Sequence, residues 1–463
     1  MLQLRIGSGF RQRAHAAFKV AALPLALAVV ASAGMADAPY ADEEALPPDS
    51  VHVVPDRLSD IELLRADKDP FPIVDSYAWR AFIALNWPAL PGADRRGEPD
   101  RAKTIGDPGP RVWESFRSRH ELFQLDQAAK ASPTPGWSSY DGLNPCGPNV
   151  DNREKTVAAF EPFKDFNQPT FVLRKQGNPL VAQNGTYVRY ETRINQLTYD
   201  AIAKPGWSMG QNLPTPDAPA RMPSGSIAVK AAWRVLTDAD TPAIRARYYI
   251  SHGANIVDVA RTKASGKTVC TKADLALVGL HIVVRTRFRP QGIWSSFEHV
   301  DNVPAIGKGP FREPDARDSG APYSFYNPDH PERQLWPLYG SPQTKPVDLA
   351  NPPSLSPVPN QVVRRLPIHG STVTLNRQVS ALPGIKGTVW EHYMLVATQW
   401  PTVTRPVAPF NDSVFFPEHR NENLANTTME TYFQDRPANC MSCHHKVANS
   451  RGRDFVGIID SFR

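Results

Sequence analysis

Proline takes 46 of the 463 positions of this chain, about twice its usual share. Each proline fixes φ and removes a backbone donor, so it interrupts helices and is kept out of central strands. A chain so rich in it cannot be built mainly from long helices. Short elements joined by irregular loops are the expectation.

The hydrophobic pattern agrees. In SIAVKAAWRVL, Ile227, Val229, Ala231, Trp233 and Val235 alternate with Lys230 and Arg234. AIRARYYI alternates Ile244, Ala246, Tyr248 and Ile250, and LHIVVRTRF alternates Leu280, Ile282 and Val284, then Phe288, against Arg285 and Arg287. Period two with β-branched and aromatic residues predicts half-buried antiparallel strands. TVWEHYMLVATQW predicts one more, with Trp390, His392, Met394, Val396 and Trp400 on one face. Helical spacing occurs in DSYAWRAFIALNW, capped by Asp75 or Ser76, in RVWESFRSRHELFQLDQAAK, and briefly in NLANTTMETYFQ. The fold class expected is α+β: an antiparallel β-rich core, a few short helices, long Pro-rich loops and a C-terminal haem-binding helix.

The N-terminus bears on compartment. Arg5, Arg11, Arg13 and Lys19 precede an apolar run from Val20 to Ala33, with no acid before Asp37 and small residues at cleavage spacing. This is the layout of a secretory signal peptide, so 1–33 is read as a signal and the chain as periplasmic. The remaining regions are a mixed scaffold over 34–310, a Pro-rich irregular connection over 311–360, and a C-terminal region over 361–463. The net charge of +6 owes four of its 52 basic residues to the signal, which leaves 48 against 46 acidic. Without a basic run interleaved with aromatics, nucleic-acid binding has no footprint. No later apolar stretch reaches bilayer length, so the mature chain is expected to be soluble rather than membrane-spanning.

Four cysteines remain to be placed. Cys146 and Cys270 stand alone; an oxidising compartment favours a bridge between them, the alternative being two buried thiols. Cys440, Met441, Ser442, Cys443 and His444 form a C-x-x-C-H, with 19 residues following. On one helical turn, residues three and four apart share a face. Cys440 and Cys443 can therefore take two thioethers while His444 ligates iron from the same side. A structural zinc needs four ligands, and no second C-x-x-C exists to supply them. A redox disulfide usually opens a helix after a strand, whereas this motif follows a Pro-containing loop. One covalent haem c is the cofactor expected.

The motif resembles that of the cytochrome c superfamily. WRAFIALNWPA, GSIAVKAAWRVL, WSSFEHVDNVP and LANTTMETY followed by NCMSCHH look like a family of large bacterial exported mono-haem proteins, known only as "cytochrome c family protein". What the resemblance implies is haem on Cys440, Cys443 and His444, and no established activity. A class I cytochrome c fold does not fit, since no methionine follows Met441 to serve as its distal ligand.

The distal ligand decides function: a Met or His makes a six-coordinate electron carrier, an open position permits chemistry on small molecules. Met429 and His392 are the candidates, each with core packing or an ordinary sheet face as its alternative. In WSSFEHVDN, an extended backbone puts His299 and Asp301 on one side and Glu298 on the other, an acid–base or second-metal arrangement, or simply a strand end with its turn. His445 cannot reach the same iron, and Arg364 and Arg365 suit either haem propionates or a solvated surface. No G-x-S-x-G, P-loop or dinucleotide fingerprint is present. Two functions follow: electron transfer with exported redox partner proteins, or a peroxidase- or oxygenase-like haem oxidoreductase acting on a small-molecule substrate.

Overall fold

The computed structural model describes, apart from isolated positions, residues 51–55, 70–122, 135–157, 180–257, 269–305, 321–330, 359–400 and 425–431, with single residues such as Gln434, Cys440 and His444. The expected signal peptide, most of the Pro-rich connection, and Cys443 and His445 lie outside the described residues.

Among the described residues, eight strands make one sheet. In chain order they are β1 (Arg117–Ser118), β2 (Thr156–Val157), β3 (Arg189–Ile194), β4 (Ile227–Val235), β5 (Ile250–Val257), β6 (Cys270–Val284), β7 (Ile293–His299) and β8 (Tyr393–Gln399). The order runs β1-β3-β4-β6, and the far edge of the 15-residue β6 is then shared. Its first half pairs β5, which carries β2; its second half pairs β7, which carries β8. The fork falls at Leu277 and Val278, where the ladder to β4 also shifts. There Leu277 donates to Tyr249 O, while the Tyr393 hydroxyl and the Asn302 amide donate to Leu277 O and Val278 O. The backbone groups at the split thus stay satisfied, as burial demands.

The strand-rich α+β character matches the alternation in the sequence, with one correction: β2 runs parallel to β5, so the sheet is mixed, not antiparallel. A parallel pair needs a long connection rather than a hairpin, and the stretch between Val157 and Ile250 supplies it. Near this edge Cys146 and Cys270 form a disulfide, with Cα atoms 5.6 Å apart.

Helices are few and short among the described residues: α1 (Phe71–Leu85), α2 (Arg119–Leu122), α3 (Gln196–Ala203), α4 (Pro242–Arg245) and α5 (Gly370–Ser380). Helix α1 starts four residues before the expected cap, because the proline at its N-terminus is already shaped for the first turn. Asp75 is instead buried inside it and accepts from Thr372 Oγ1 at 2.5 Å. The expected helix over 111–130 is a 3₁₀ turn, the two-residue β1 and the single turn α2, with 123–130 outside the described residues. AIRARYYI is not a strand throughout: Thr241 caps Pro242–Arg245, and extension begins only at Ile250.

One face of the sheet carries the main core. Ile227, Val229, Leu280, Ile282, Ile293, Phe297 and Leu395 pack against Val74, Trp79 and Phe82 of α1. The Phe297 ring lies 5.1 Å from Trp79 and 4.4 Å from Phe82. Helix α5 closes the edge of β8, where Asn376 bonds both Leu395 N and Leu395 O, removing the exposed ladder that edges present. Beside this core Lys155 is sealed between the rings of Trp113 and Trp233, at 4.9 and 4.1 Å, with Glu114 and Glu191 each 2.6 Å from its ammonium.

Candidate functional site

The other face is unlike the first. The registers align it in rows: Tyr190, Ala232, Gly279, Glu298 and Met394; then Thr192, Lys230, His281, Ser296 and Ala397; then Ile194, Ala228, Val283, Trp294 and Gln399. Glycine and alanine in three strands leave this face low. The C-terminal segment covers part of it, beside apolar clusters around Phe325 and Val362 and around Tyr199 and Met222.

Residues 425–431 form a hydrogen-bonded turn over the first two rows. Asn426 donates to Ser296 Oγ and Phe297 O, both at 3.1 Å, and its Oδ1 accepts from Thr428. Thr427 N donates to Glu298 Oε1 at 2.6 Å, and its hydroxyl reaches Glu298 Oε2. The Tyr190 hydroxyl donates to Thr428 O at 2.5 Å. Glu298, Asn426, Thr427 and Thr428 are all fully buried. On its remaining side Glu298 receives Arg364 Nη2 at 2.7 Å. Arg364 is therefore buried against a carboxylate and is not a surface cation, while Arg365 is exposed and gives its backbone N–H to Gln434. A Cβ on Gly279 would overlap Thr428 Oγ1, so the glycine is what lets the segment sit down. Gly279→Ala is expected to cost about 1–3 kcal/mol through overpacking, read as a lowered midpoint in urea.

The C-x-x-C-H reaches the third row. Cys440 N donates to Gln399 Oε1 at 2.8 Å, and the His444 ring lies 4.7 Å from that of Trp294. Trp294 and Gln399 are directly opposite each other on β7 and β8 and are both buried. The two ends of the motif thus meet one cross-strand pair. The helix expected there falls mostly outside the described residues.

The weak distal candidates stand elsewhere. Met429 is fully buried in a cluster with Leu180, Tyr190, Phe325 and Val362, its methyl against Gly279. Gly279 is four residues from Val283, or about 13 Å along β6. His392 ends a 3₁₀ turn before β8, seven positions and about 23 Å from Gln399. The expected common face of Trp390, His392, Met394, Val396 and Trp400 does not form, because the turn and a register shift near Val396 redirect it. His299 and Asp301 do share a side, opposite Glu298. His299 is stacked on Tyr248 at 3.8 Å, with Nε2 on Arg247 O and Nδ1 on Asp301 N. Burial pushes its pKa down to about 4 against the pull of Asp301. Both ring nitrogens are engaged, and Asp301 is held by Arg247 at 2.5 and 2.9 Å; this is a packed strand end, with no nitrogen left for a substrate proton.

One histidine escapes the sequence patterns. His281 occupies the polar position between Leu280 and Ile282, whose alternation drew attention to the opposite face. It is 9% exposed, and its Nε2 makes no hydrogen bond of normal geometry among the described residues; Glu430 Oε2 stands 3.4 Å away. A histidine in the polar phase of a buried strand was the signal available for finding it. Trp294, Gln399 and Asn426 gave none.

What a group held by the motif could meet here is the Trp294 ring beside His444 and the low sheet face, while the nearby His281 Nε2 faces Glu430 Oε2 at 3.4 Å. No group of three or more His, Cys, Asp or Glu among the described residues could hold a bare metal ion, and no described helix is long and apolar enough to cross a membrane. Fold and site together define an α+β protein whose C-terminal segment is docked on a mixed sheet. Comparison with protein-family models, with curated proteins and with solved structures finds no match.

Proposed function

We propose that the chain is an exported c-type haem protein that transfers electrons through one covalently bound haem. The observation that carries this reading is the C-x-x-C-H whose first residue is pinned by Gln399 and whose histidine rests on Trp294. Cys440 and Cys443 would hold the group by thioethers, with His444 on the iron. When bound it supplies a one-electron ferric/ferrous couple.

The chain's own residues prepare that site. Gln399 fixes the start of the motif through a bond to the Cys440 backbone N–H. The Trp294 indole restricts how the His444 ring can turn and keeps water from one side of it. Its own Nε1–H is already committed to Gln291 O at 3.1 Å, so the indole presents ring surface rather than a competing donor. Beneath, the Glu298–Thr427–Arg364 cluster ties the segment preceding the motif to the sheet. The β-rich remainder serves as a scaffold that presents the haem to a redox partner.

The test is maturation of the full-length precursor in a host with haem c machinery, followed by haem quantification after denaturation. One haem per chain that survives denaturation is expected, and Cys440→Ala/Cys443→Ala should abolish the covalent fraction. Protein recovered folded and without covalent haem would end this reading and return the two cysteines to a disulfide role. A stable low-spin spectrum blind to carbon monoxide would support electron transfer over small-molecule chemistry.

A further inference from the structure

We propose that Trp113, Trp233, Glu114 and Glu191 form a cage for a primary ammonium group, which Lys155 occupies as a tethered ligand. The Cys146–Cys270 disulfide is the redox-sensitive tether that keeps it there. The Lys155 ammonium lies 4.9 and 4.1 Å from the two indole centroids and 2.6 Å from Glu114 Oε1 and Glu191 Oε1. Desolvated indole faces and carboxylates are the surroundings in which an alkylammonium is held most strongly.

The walls of the cage are built without help from their occupant. Glu191 turns its second oxygen to Arg193 Nε at 2.7 Å, and its Oε1 also accepts from Trp233 Nε1 at 2.8 Å. Glu114 Oε2 accepts from Arg111 N at 2.8 Å and from the Tyr249 hydroxyl. Trp113 Nε1 donates to Asn86 Oδ1 at 3.0 Å. These partners sit on β3, on β4, beside β5 and past the end of α1. An ammonium from elsewhere would therefore meet a preorganised site, which is what keeps the cost of binding low.

The occupant, by contrast, comes from a strap along the outside of the β5–β6 hairpin. Asp151, Arg153 and Glu154 are exposed there. Besides the disulfide, the strap meets the hairpin through the two residue pairs of β2, through Asn255 N on Lys155 O, and through Glu154 on Asn255 and Lys272. The Glu154–Lys272 pair is about half exposed on both sides, where an ion pair contributes little. Inside the strap, the Asn144 amide bonds Thr156 Oγ1 and Asn152 Oδ1, both at 3.0 Å, and Asn144 Oδ1 accepts from Cys146 N. The disulfide end is thereby coupled to the residue that follows Lys155. Cys146 and Cys270 are both partly exposed, so a small dithiol can reach them. It supplies two electrons and two protons: the Sγ–Sγ bond breaks, two thiols form, and the reductant closes into its own disulfide.

The experiment uses the full-length chain and reads hydrogen exchange of 144–157 and of β4 and β6, with the disulfide intact and after reduction by a dithiol in native buffer. Reduction should speed exchange of the strap roughly tenfold or more while β4 and β6 keep their protection, as a local opening does. In the reduced protein, added butylammonium should speed the strap further by competing for the cage, and butanol should not. Lys155→Ala with the disulfide intact should lower the midpoint in urea, and butylammonium, not butanol, should raise it again. Lys155→Met, which fills the cage with an uncharged chain, should ignore both. Unchanged exchange of 144–157 on reduction, or loss of protection in β4 and β6 along with it, would overturn the tether. Indifference of Lys155→Ala to butylammonium, or equal recovery with butanol, would overturn the cage; should that variant fail to fold, indifference of the reduced native chain to butylammonium does so.

Discussion

Glu298→Ala is expected to destabilise the protein by about 3–5 kcal/mol, the range for breaking a buried ion pair from one side. Few positions join so much. The carboxylate accepts from Arg364, from the backbone and hydroxyl of Thr427, and at 3.5 Å from Asn302. Its loss leaves the guanidinium facing no carboxylate there and removes two anchors of residues 425–431 from the sheet. The midpoint in urea should fall, and protease cleavage near Asn426 should accelerate. Glu298→Gln keeps the shape and one acceptor, and should cost less. Equal stability of all three proteins, with unchanged cleavage, would show that the segment docks by other means.

Acid should weaken the fold in two stages. His299 is neutral in the folded protein down to about pH 4, whereas its unfolded value is 6.5. Between those limits the unfolded chain binds a proton that the folded one refuses, so stability falls as pH falls from about 6.5 to 4. At about 1.36 kcal/mol per unit this amounts to about 3 kcal/mol. Glu191 acts lower down. Burial alone would raise its pKa, but Arg193 and Lys155 beside it hold it at about 2 against 4.5 when unfolded. Its contribution is present above about pH 4.5 and disappears on the way to pH 2, again about 3 kcal/mol. The two together approach the whole stability of an ordinary domain. Urea midpoints measured from pH 7 to 4 should drop continuously, and His299→Gln should flatten the upper stage while lowering the plateau. A native midpoint that is level between pH 6.5 and 4.5 would exclude the role given to His299.

Strand β4 was readable because it alternates cleanly and buries one face against α1; of β6 only 280–284 was read, since the stretch 270–279 lacks clean alternation and the strand stops at Val284. AIRARYYI misled because Ile244 and Ala246 keep period two while Thr241 and Pro242 start a helical turn; capping chemistry outweighs the alternation there. The N-terminus of α1 was misplaced because a proline start carries no side-chain cap to notice. At the site, Cys440 and His444 were legible from spacing alone, since their relation is local. Their neighbours were not. Trp294 and Gln399 belong to strands that become adjacent only through the register of β7 with β8, and no pattern within either strand records that meeting. Glu298 was seen as a polar residue near a strand end; its burial depends on Arg364 and Thr427, 66 and 129 positions away. His281 hid for the opposite reason, being the polar half of a pattern read for its apolar half.

The bonds that seat residues 426–428 reach back 129, 130 and 238 positions. Contacts so remote in sequence form late, because the chain between them must first be closed. Strands β4, β6 and β7, whose partners lie much nearer in sequence, are therefore expected to pair before the polar turn arrives to cover them. Until that moment Cys440 belongs to a tether hanging from that platform. Under the function proposed, attachment at Cys440 would have a window in time as well as a place, and the pace of that docking step would set how long the window stays open.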